Sequence, residues 1–527
     1  MRGYLAMANL DDIYKKDLQF VISNIKDKNF SLAKKEIEKL IKKDPDNKKL
    51  QMLYGDCLIG MGKFVLARGR FIDCLTEKEL RNICYSKIAW ISEKLEESSQ
   101  ALFYYKKALE LNPKNSHILN RLGNLHRKNN AYFEAIRCYD EAIRAEPKNT
   151  IARTNKGLLK HIQGEYSESI KILNQVLLID KNNLPAIKAL ANGYMKTGEF
   201  ANSFSQLEKA LILAPGDPGI TIQIAEASKK LRKYELAIKF LSELIKTNPD
   251  YTPAYISLSG VYRQQKNFSL CVDISKKALT LDPKGKATIN NLGVAYSGNG
   301  DHNKAISLYK KAIKLYPRDY KIITNLGMAY AFTGQYMKAI PILEKAIKIE
   351  KSYSEAHYGL GKVHVETGSY AKSIESFKTA CYLKPSNIEA VKYMVHPLMY
   401  SYKFKDAWQQ YEYRWLVMEG EANREKKWPL PKTKTWSGEK CNRLLLWREQ
   451  GIGDDVLALG LIPEVQNLAK KLTIYSDKKL IPLCKRSFPK ITFKEYVKPI
   501  KEKNFNFHLP MGSLPRLFRQ TEDDFKK

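Results

Sequence analysis

Two sets of residues in this 527-residue chain have types and spacings suited to chemistry. The first is a loop near the C-terminus, REQGIGDD over residues 448–455, which follows the apolar run RLLLW at 443–447 and precedes an apolar helical stretch at 456–468. Gly451 and Gly453 permit a tight turn and close backbone approach. The helix N-terminus behind them attracts an anion or an oxygen-rich ligand. Glu449 and Gln450 shape the same loop, and Asp454 is of a residue type that caps a helix start. The second set is dispersed and consists of Asn120, Asn124, Asn155, Lys188, Asn192, Gln223, Asn291 and Asn325. A side-chain amide carries both a donor and an acceptor, so a row of amides can pair with a peptide backbone of any sequence.

The dispersed set is carried by a repeat. The phrase KATINNLGVAYSGNGDHNKAISLYKKAIKLYPRD at 286–319 recurs upstream and downstream with a 34-residue period. Prolines stand at 45, 113, 147, 215, 249, 283, 317 and 385, and Glu79, Lys181 and Lys351 fill the gaps. Within the phrase, Ile289, Leu292, Gly293, Tyr296, Ala305, Tyr309 and Ala312 follow helical spacing on two successive segments. Gly298 and Gly300 break the first segment, and Pro317 stops the second. Small residues at Gly293 and Ala305 predict close approach of the two helices, with Tyr296 and Tyr309 filling the space beside them. Neither helix can bury its apolar face alone, so neighbouring units must stack.

This order of Leu, Gly, Tyr, Ala, aromatic, Ala and Pro resembles the tetratricopeptide repeat, with Ile289 where that family often has Trp. The expected fold is mostly α, a right-handed solenoid of eleven units over 14–387 preceded by an arm at 1–13. The resemblance implies a concave groove, lined by the first helix of each unit, that binds a protein or extended peptide. The dispersed amides and Lys188 are the residues expected to face it. Asn155, Asn291 and Asn325 sit where solenoids resembling those of protein O-linked N-acetylglucosamine transferases hold substrate backbone. Asn124, Asn155 and Lys188 match three of five positions of the clamp by which some family members grip a partner's C-terminus. Asn120 and Asn192 stand where that clamp has Lys and Arg.

Residues 388–418 keep a helical pattern with an aromatic stripe of Trp408, Tyr411 and Trp415, expected to close the array as degenerate capping helices. A linker with Trp428, Pro429, Pro431 and Trp436 is expected over 419–440. From Cys441 the alternation of strand, glycine loop, helix, strand (472–475), helix (478–487) and strand (491–493) predicts a parallel α/β sheet over 441–527. The series Trp408, Tyr411, Glu412, Arg414, Trp415, Trp436, Gly438, Glu449, Gln450, Gly451, Gly453, Asp454, Ser513, Leu514 and Pro515 resembles bacterial repeat proteins ending in a glycosyltransferase domain similar to the ADP-heptose:lipopolysaccharide heptosyltransferases. That resemblance implies a Rossmann-like first half of a two-domain GT-B fold. It makes Asp454 the candidate base that deprotonates an acceptor hydroxyl. A sugar nucleotide would then need a donor-binding half, which is expected to be missing from this chain.

The formal net charge is +33, but lysines are spread over nearly every repeat and no aromatic-basic RNA motif accompanies them, which argues against nucleic acid. No apolar run approaches the length of a membrane span. The N-terminal MRGYLAMANLDDIYKK meets acidic residues before a signal-length apolar core develops, so a cytoplasmic protein is expected. None of the eight cysteines forms a C-x-x-C pair, and buried thiols are expected rather than metal or disulfide. Neither residue set calls for a cofactor. The leading expectation is a peptide-binding scaffold with a truncated transferase-like domain. The alternative is a glycosyltransferase, or a fragment of one, whose groove selects a protein acceptor.

Overall fold

In several repeats the first helix begins at an Asn or Asp that the sequence places two residues after the periodic proline. In the computed structural model, which describes residues 15–417, 433–449, 451–497 and 504–526, Asn115, Asn149, Asp217 and Asp319 accept hydrogen bonds from the free N–H groups of the following turn. Pro113, Pro147, Pro215 and Pro317 therefore fall at equivalent corners. The arm expected at 1–13, residues 418–432 of the cap and linker, and Gln450 lie outside the described residues.

A second corner recurs just as regularly. A residue in the left-handed region stands at every thirty-fourth position from Lys28 to Tyr402: Gly at 62, 164, 198, 300, 334 and 368, and Lys28, Glu96, Asn130, Arg232, Lys266 and Tyr402 elsewhere. The turn demands this conformation whatever the residue, because the chain must reverse within three residues to form a helical hairpin. The last member of the series lies between Ile388–Tyr400 and Phe404–Tyr411, so this pair turns as the others do.

The chain divides into two compact units, Met1–Pro249 and Asp250–Lys527. The first is a stack of helical hairpins running from Lys15–Lys26 to Tyr234–Thr247. Within a hairpin, the glycine of the first helix makes room for a large side chain of the second. A Cβ on Gly123 would lie 2.6 Å from Cε1 of Tyr139, and one on Gly157 would lie 2.8 Å from Cδ2 of Leu173. Ser169 and Ser203 occupy slots that hold Ala in other units. Each is fully buried, and each hydroxyl donates to a first-helix carbonyl, of Gly157 at 2.7 Å and of Ala191 at 2.8 Å. Lys156, another departure from the repeat pattern, pairs with Asp140 at 2.7 Å.

The second unit continues with hairpins from Thr252–Gln264 to Phe404–Tyr411. Gly293 sits against the buried ring of Tyr309, whose Cζ would be 2.2 Å from an added Cβ. Its small size thus admits a ring, whereas the sequence pointed to helix backbones meeting. Tyr296 is only half-buried. After the short helix Arg414–Val417 comes a five-stranded sheet, parallel throughout: β1 (Lys434–Thr435), β2 (Cys441–Trp447), β3 (Ala469–Ser476), β4 (Thr492–Glu495) and β5 (Phe507–Pro510). β1 and β5 are absent from the sequence expectation.

Spatial order is β1-β5-β2-β3-β4, so the chain winds outward from β2 in one direction and returns to its other side. Leu444 and Leu446 pack on one face with Ile462, Val465 and Ile474, while Leu445 and Trp447 pack on the other with Tyr475. Both faces are covered, as parallel sheets require. The eight cysteines are free, six of them buried and Cys381 and Cys441 partly so. Among the described residues no helix is long and apolar enough to cross a membrane.

Candidate functional site

In an open parallel sheet, ligands bind beyond the carboxyl ends of the strands where the strand order reverses. Here that point lies between β2 and β5, and the glycine loop follows β2 directly. Gly451 caps the helix Ile452–Leu459, and its N–H donates to Asp454 Oδ2 at 3.1 Å. Asp454 therefore occupies the third helical position and reaches back to the cap, three positions after the N-cap place itself. Gly451, Ile452, Gly453 and Asp454 are all exposed. A Cβ on Gly453 would meet nothing within 4 Å, so the loop borders open space.

Immediately before the loop the polarity is buried. Glu449 is 4% exposed, and its Oε1 accepts from Arg414 Nε at 3.1 Å and Nη2 at 2.8 Å. The same guanidinium donates to Glu412 Oε1 at 2.7 Å and to Ser513 Oγ at 2.8 Å, while the Ser513 hydroxyl donates to Glu412 at 2.9 Å. Arg414 also stacks over Tyr411 at 4.6 Å and Trp415 at 4.8 Å. Burial works against the Arg414 charge, but Glu449 and Glu412 outweigh it and raise its pKa. Glu449 Oε2 meets no hydrogen-bond partner among the described residues. Burial, which exceeds the pull of Arg414, pushes the Glu449 carboxyl up to about 7.

A second ionic group lies alongside. Arg448 Nε stands 2.9 Å from Asp455 Oδ2, close enough for an ion pair but without hydrogen-bond alignment, and Arg448 also pairs with Asp477. Burial pushes Asp455 up to about 6, against the opposing effect of Arg448. Trp447 Nε1 donates to His508 Nδ1 at 3.2 Å, and Trp408 Nε1 donates to the carbonyl of Arg519 at 2.6 Å. The widely spaced series Trp408, Glu412, Arg414, Trp415, Glu449 and Ser513 thus converges on one place, where the last repeat helices meet the sheet. In this arrangement Arg414 occupies the mouth of the strand crossover. Asp455 and Arg448 were not singled out from sequence. Burial alone sets Asp455 apart from Asp454, and adjacency in sequence hides it.

Asn120, Asn155, Asn291 and Asn325 form bonds between successive first helices. Asn155 Nδ2 donates to Asn120 Oδ1 at 2.9 Å, and Asn325 Nδ2 donates to Asn290 Oδ1 at 2.6 Å. Asn291 Nδ2 lies 3.2 Å from the Ile256 carbonyl and 3.1 Å from Ser259 Oγ. Asn124 accepts from the Tyr139 hydroxyl at 2.8 Å. Lys188 pairs at 3.0 Å with Asp217 and holds that carboxyl below its usual range. Asn192 is exposed, and Gln223 is half-buried like most of the row. The first unit holds Asn120 through Gln223, and the second holds Asn291 and Asn325.

Family models described as tetratricopeptide repeat match residues 84–115, 104–137, 152–183, 287–319, 308–340 and 354–387. No curated protein matches the sequence. Similar solved structures include a tetratricopeptide repeat protein from Parabacteroides merdae, with 16% identity, TM-score 0.39, 54% of this chain and 98% of that one covered. Yeast Tom70 shows 12% identity, TM-score 0.43 and coverage of 72% and 93%. The Cut9-Hcn1 hetero-tetramer of APC/C shows 14% identity, TM-score 0.37 and coverage of 80% and 90%. The chain carries tetratricopeptide repeats followed by a small parallel sheet.

Proposed function

We propose that the protein is a binding scaffold whose first helices present rows of side-chain amides to the backbone of an extended protein segment. The observation that carries this reading is the pairing of Asn155 with Asn120 and of Asn325 with Asn290 across neighbouring repeats. Such pairing holds the amides half-buried and preoriented, which lowers the entropy cost of binding. Asn124, Lys188, Asn192, Gln223 and Asn291 extend the two rows. The test is a pulldown comparing wild type with Asn155, Asn291 and Asn325 changed together to Ala. Loss of partner recovery is expected, and unchanged recovery refutes the groove. Buried free thiols suit a reducing compartment, and we place the scaffold in the cytoplasm.

A second reading makes the C-terminal region the acceptor-binding half of a glycosyltransferase, with Asp454 as base and the repeats selecting a protein acceptor. It is supported by the reversal of strand order beside an exposed glycine loop. In this reading the domain runs over 441–527, and Glu449, Gln450, Gly451 and Gly453 form the loop around the acceptor. Against it, Asp454 is occupied in capping Gly451. Transfer from a panel of sugar nucleotides that is lost in Asp454→Asn would favour the enzyme. Absence of turnover with the panel would favour the scaffold.

A further inference from the structure

Lys362 lies on the first helix Ser354–Glu366, at the same place in its repeat as Asn124. Its ammonium is ringed by three aromatic faces, at 4.9 Å from the centroid of Tyr393, 5.2 Å from Phe332 and 5.7 Å from Tyr358. These rings come from three successive first helices, Tyr320–Phe332, Ser354–Glu366 and Ile388–Tyr400. Tyr358 and Tyr393 meet edge to face at 5.8 Å. An ammonium has three donors, and aromatic faces offer attraction without a lone-pair acceptor of ordinary strength. Among the described residues no hydrogen bond or ion pair meets Lys362. Glu366 and Glu389 act on it only through space, and burial lowers its pKa. On one side the cage opens on a cavity of about 240 Å³ lined by Met328, Ala331, Phe332, Tyr336, Val363 and Glu366.

We propose that this cage receives an internal acidic side chain of a bound protein segment, with a neighbouring apolar side chain of that segment seated on Met328 and Phe332. The proposal rests on the scaffold reading and names the chemistry of one subsite. Charge complementarity decides the occupant. A half-buried cation without a counter-ion gains most from a carboxylate that arrives already desolvated by apolar neighbours. The surroundings argue for a single carboxylate. Apart from Lys362 the cavity wall holds no cation and no side-chain amide, and Glu366, which accepts from the Tyr336 hydroxyl at 3.5 Å, would repel a doubly charged phosphate more strongly than a singly charged carboxylate. Phe332 is 52% exposed and Tyr393 is 37% exposed, so the partner's apolar group would cover surface now in water.

The test uses the full chain and two fluorescein-labelled peptides, both acetylated and amidated so that neither bears a terminal charge. One contains Glu-Gly-Phe in a glycine-serine frame, and the other contains Gln-Gly-Phe. Fluorescence anisotropy should show saturable binding of the Glu peptide, weakened about 10- to 100-fold both in the Gln peptide and by Lys362→Met. Phe332→Ala should weaken both peptides alike. Equal affinity for the two peptides, an unchanged affinity in Lys362→Met, or no saturable binding at millimolar protein would overturn the proposal. Circular dichroism of Lys362→Met and Phe332→Ala checks that both variants fold. The triple asparagine variant bears on the groove alone. If it loses its partner while Lys362→Met behaves as wild type, the subsite falls and the scaffold stands. If the triple variant keeps its partner, the scaffold reading itself fails.

Discussion

The buried carboxylate at Glu449 makes the junction between the last repeats and the sheet sensitive to pH. Its pKa rises from 4.5 to about 7 on folding, so the folded state holds a proton that the unfolded chain releases. A group of this kind contributes stability below its unfolded pKa and loses it as pH climbs through the folded value. At about 1.4 kcal/mol per tenfold change in proton affinity, the loss between pH 5 and 8 comes to about 2.5 kcal/mol. The groups facing the carboxyl are Arg414, Glu412, Asp455 and Tyr496. Asp455 shifts in the same direction but over a lower range, up to about 6, so a wild-type profile alone would mix the two. Glu449→Gln separates them, because the amide keeps an acceptor for Arg414 and removes the titrating proton. Trp408, Trp415, Trp436 and Trp447 lie at or near the junction, and of the six tryptophans in the chain only Trp90 and Trp428 remain. Denaturant titration followed by tryptophan emission should therefore report it. The difference between wild type and Glu449→Gln should grow steadily from pH 5 to 8 in favour of the variant. Parallel profiles across that range would refute the argument.

Arg414→Met would leave the buried Glu449 and the half-buried Glu412 without their cation, and removing one partner of a buried pair costs about 3–5 kcal/mol. Early cleavage near the sheet in limited proteolysis, with red-shifted tryptophan emission, is expected. Gly293→Ala would place a methyl 2.2 Å from the Tyr309 ring, and overpacking of this kind costs about 1–3 kcal/mol, read as a lower melting temperature. Gly300→Ala meets nothing within 4 Å but holds φ at +83°, so it should cost about 1–2 kcal/mol through the backbone alone. Ser169→Ala, which restores the residue type that other repeats carry, should change stability by no more than about 1 kcal/mol. A larger loss would show that the hydrogen bond to Gly157 matters more than packing.

The repeats are legible in the sequence because the features that mark them are local. Capping at Asn149, the reversal at Gly300 and the match of Gly293 to Tyr309 all involve residues within one 34-residue phrase, and repetition averages out exceptions such as Ser203. Partners of single residues are less legible. Nothing at Asn155 indicates that its amide turns to Asn120 in the preceding unit, because either neighbour or solvent could satisfy it. Lys362 reads as one more surface lysine until Phe332 and Tyr393, contributed by helices on either side, close around it.

The order of the sheet and its junction lay beyond sequence reasoning. β1 has two residues and β5 ends in a proline, so neither carries enough alternation to announce a strand. β5 pairs on the edge that β2 offers, and β1 pairs in turn on β5. Arg414 and Ser513 are 99 positions apart, and their meeting required the sheet to return β5 to the near side of β2. Local periodicity and turn chemistry are written residue by residue along the chain. Burial and long-range pairing arise only once distant segments compete for the same surfaces, and they decided which carboxylate is buried, which cation is caged and which loop faces open space.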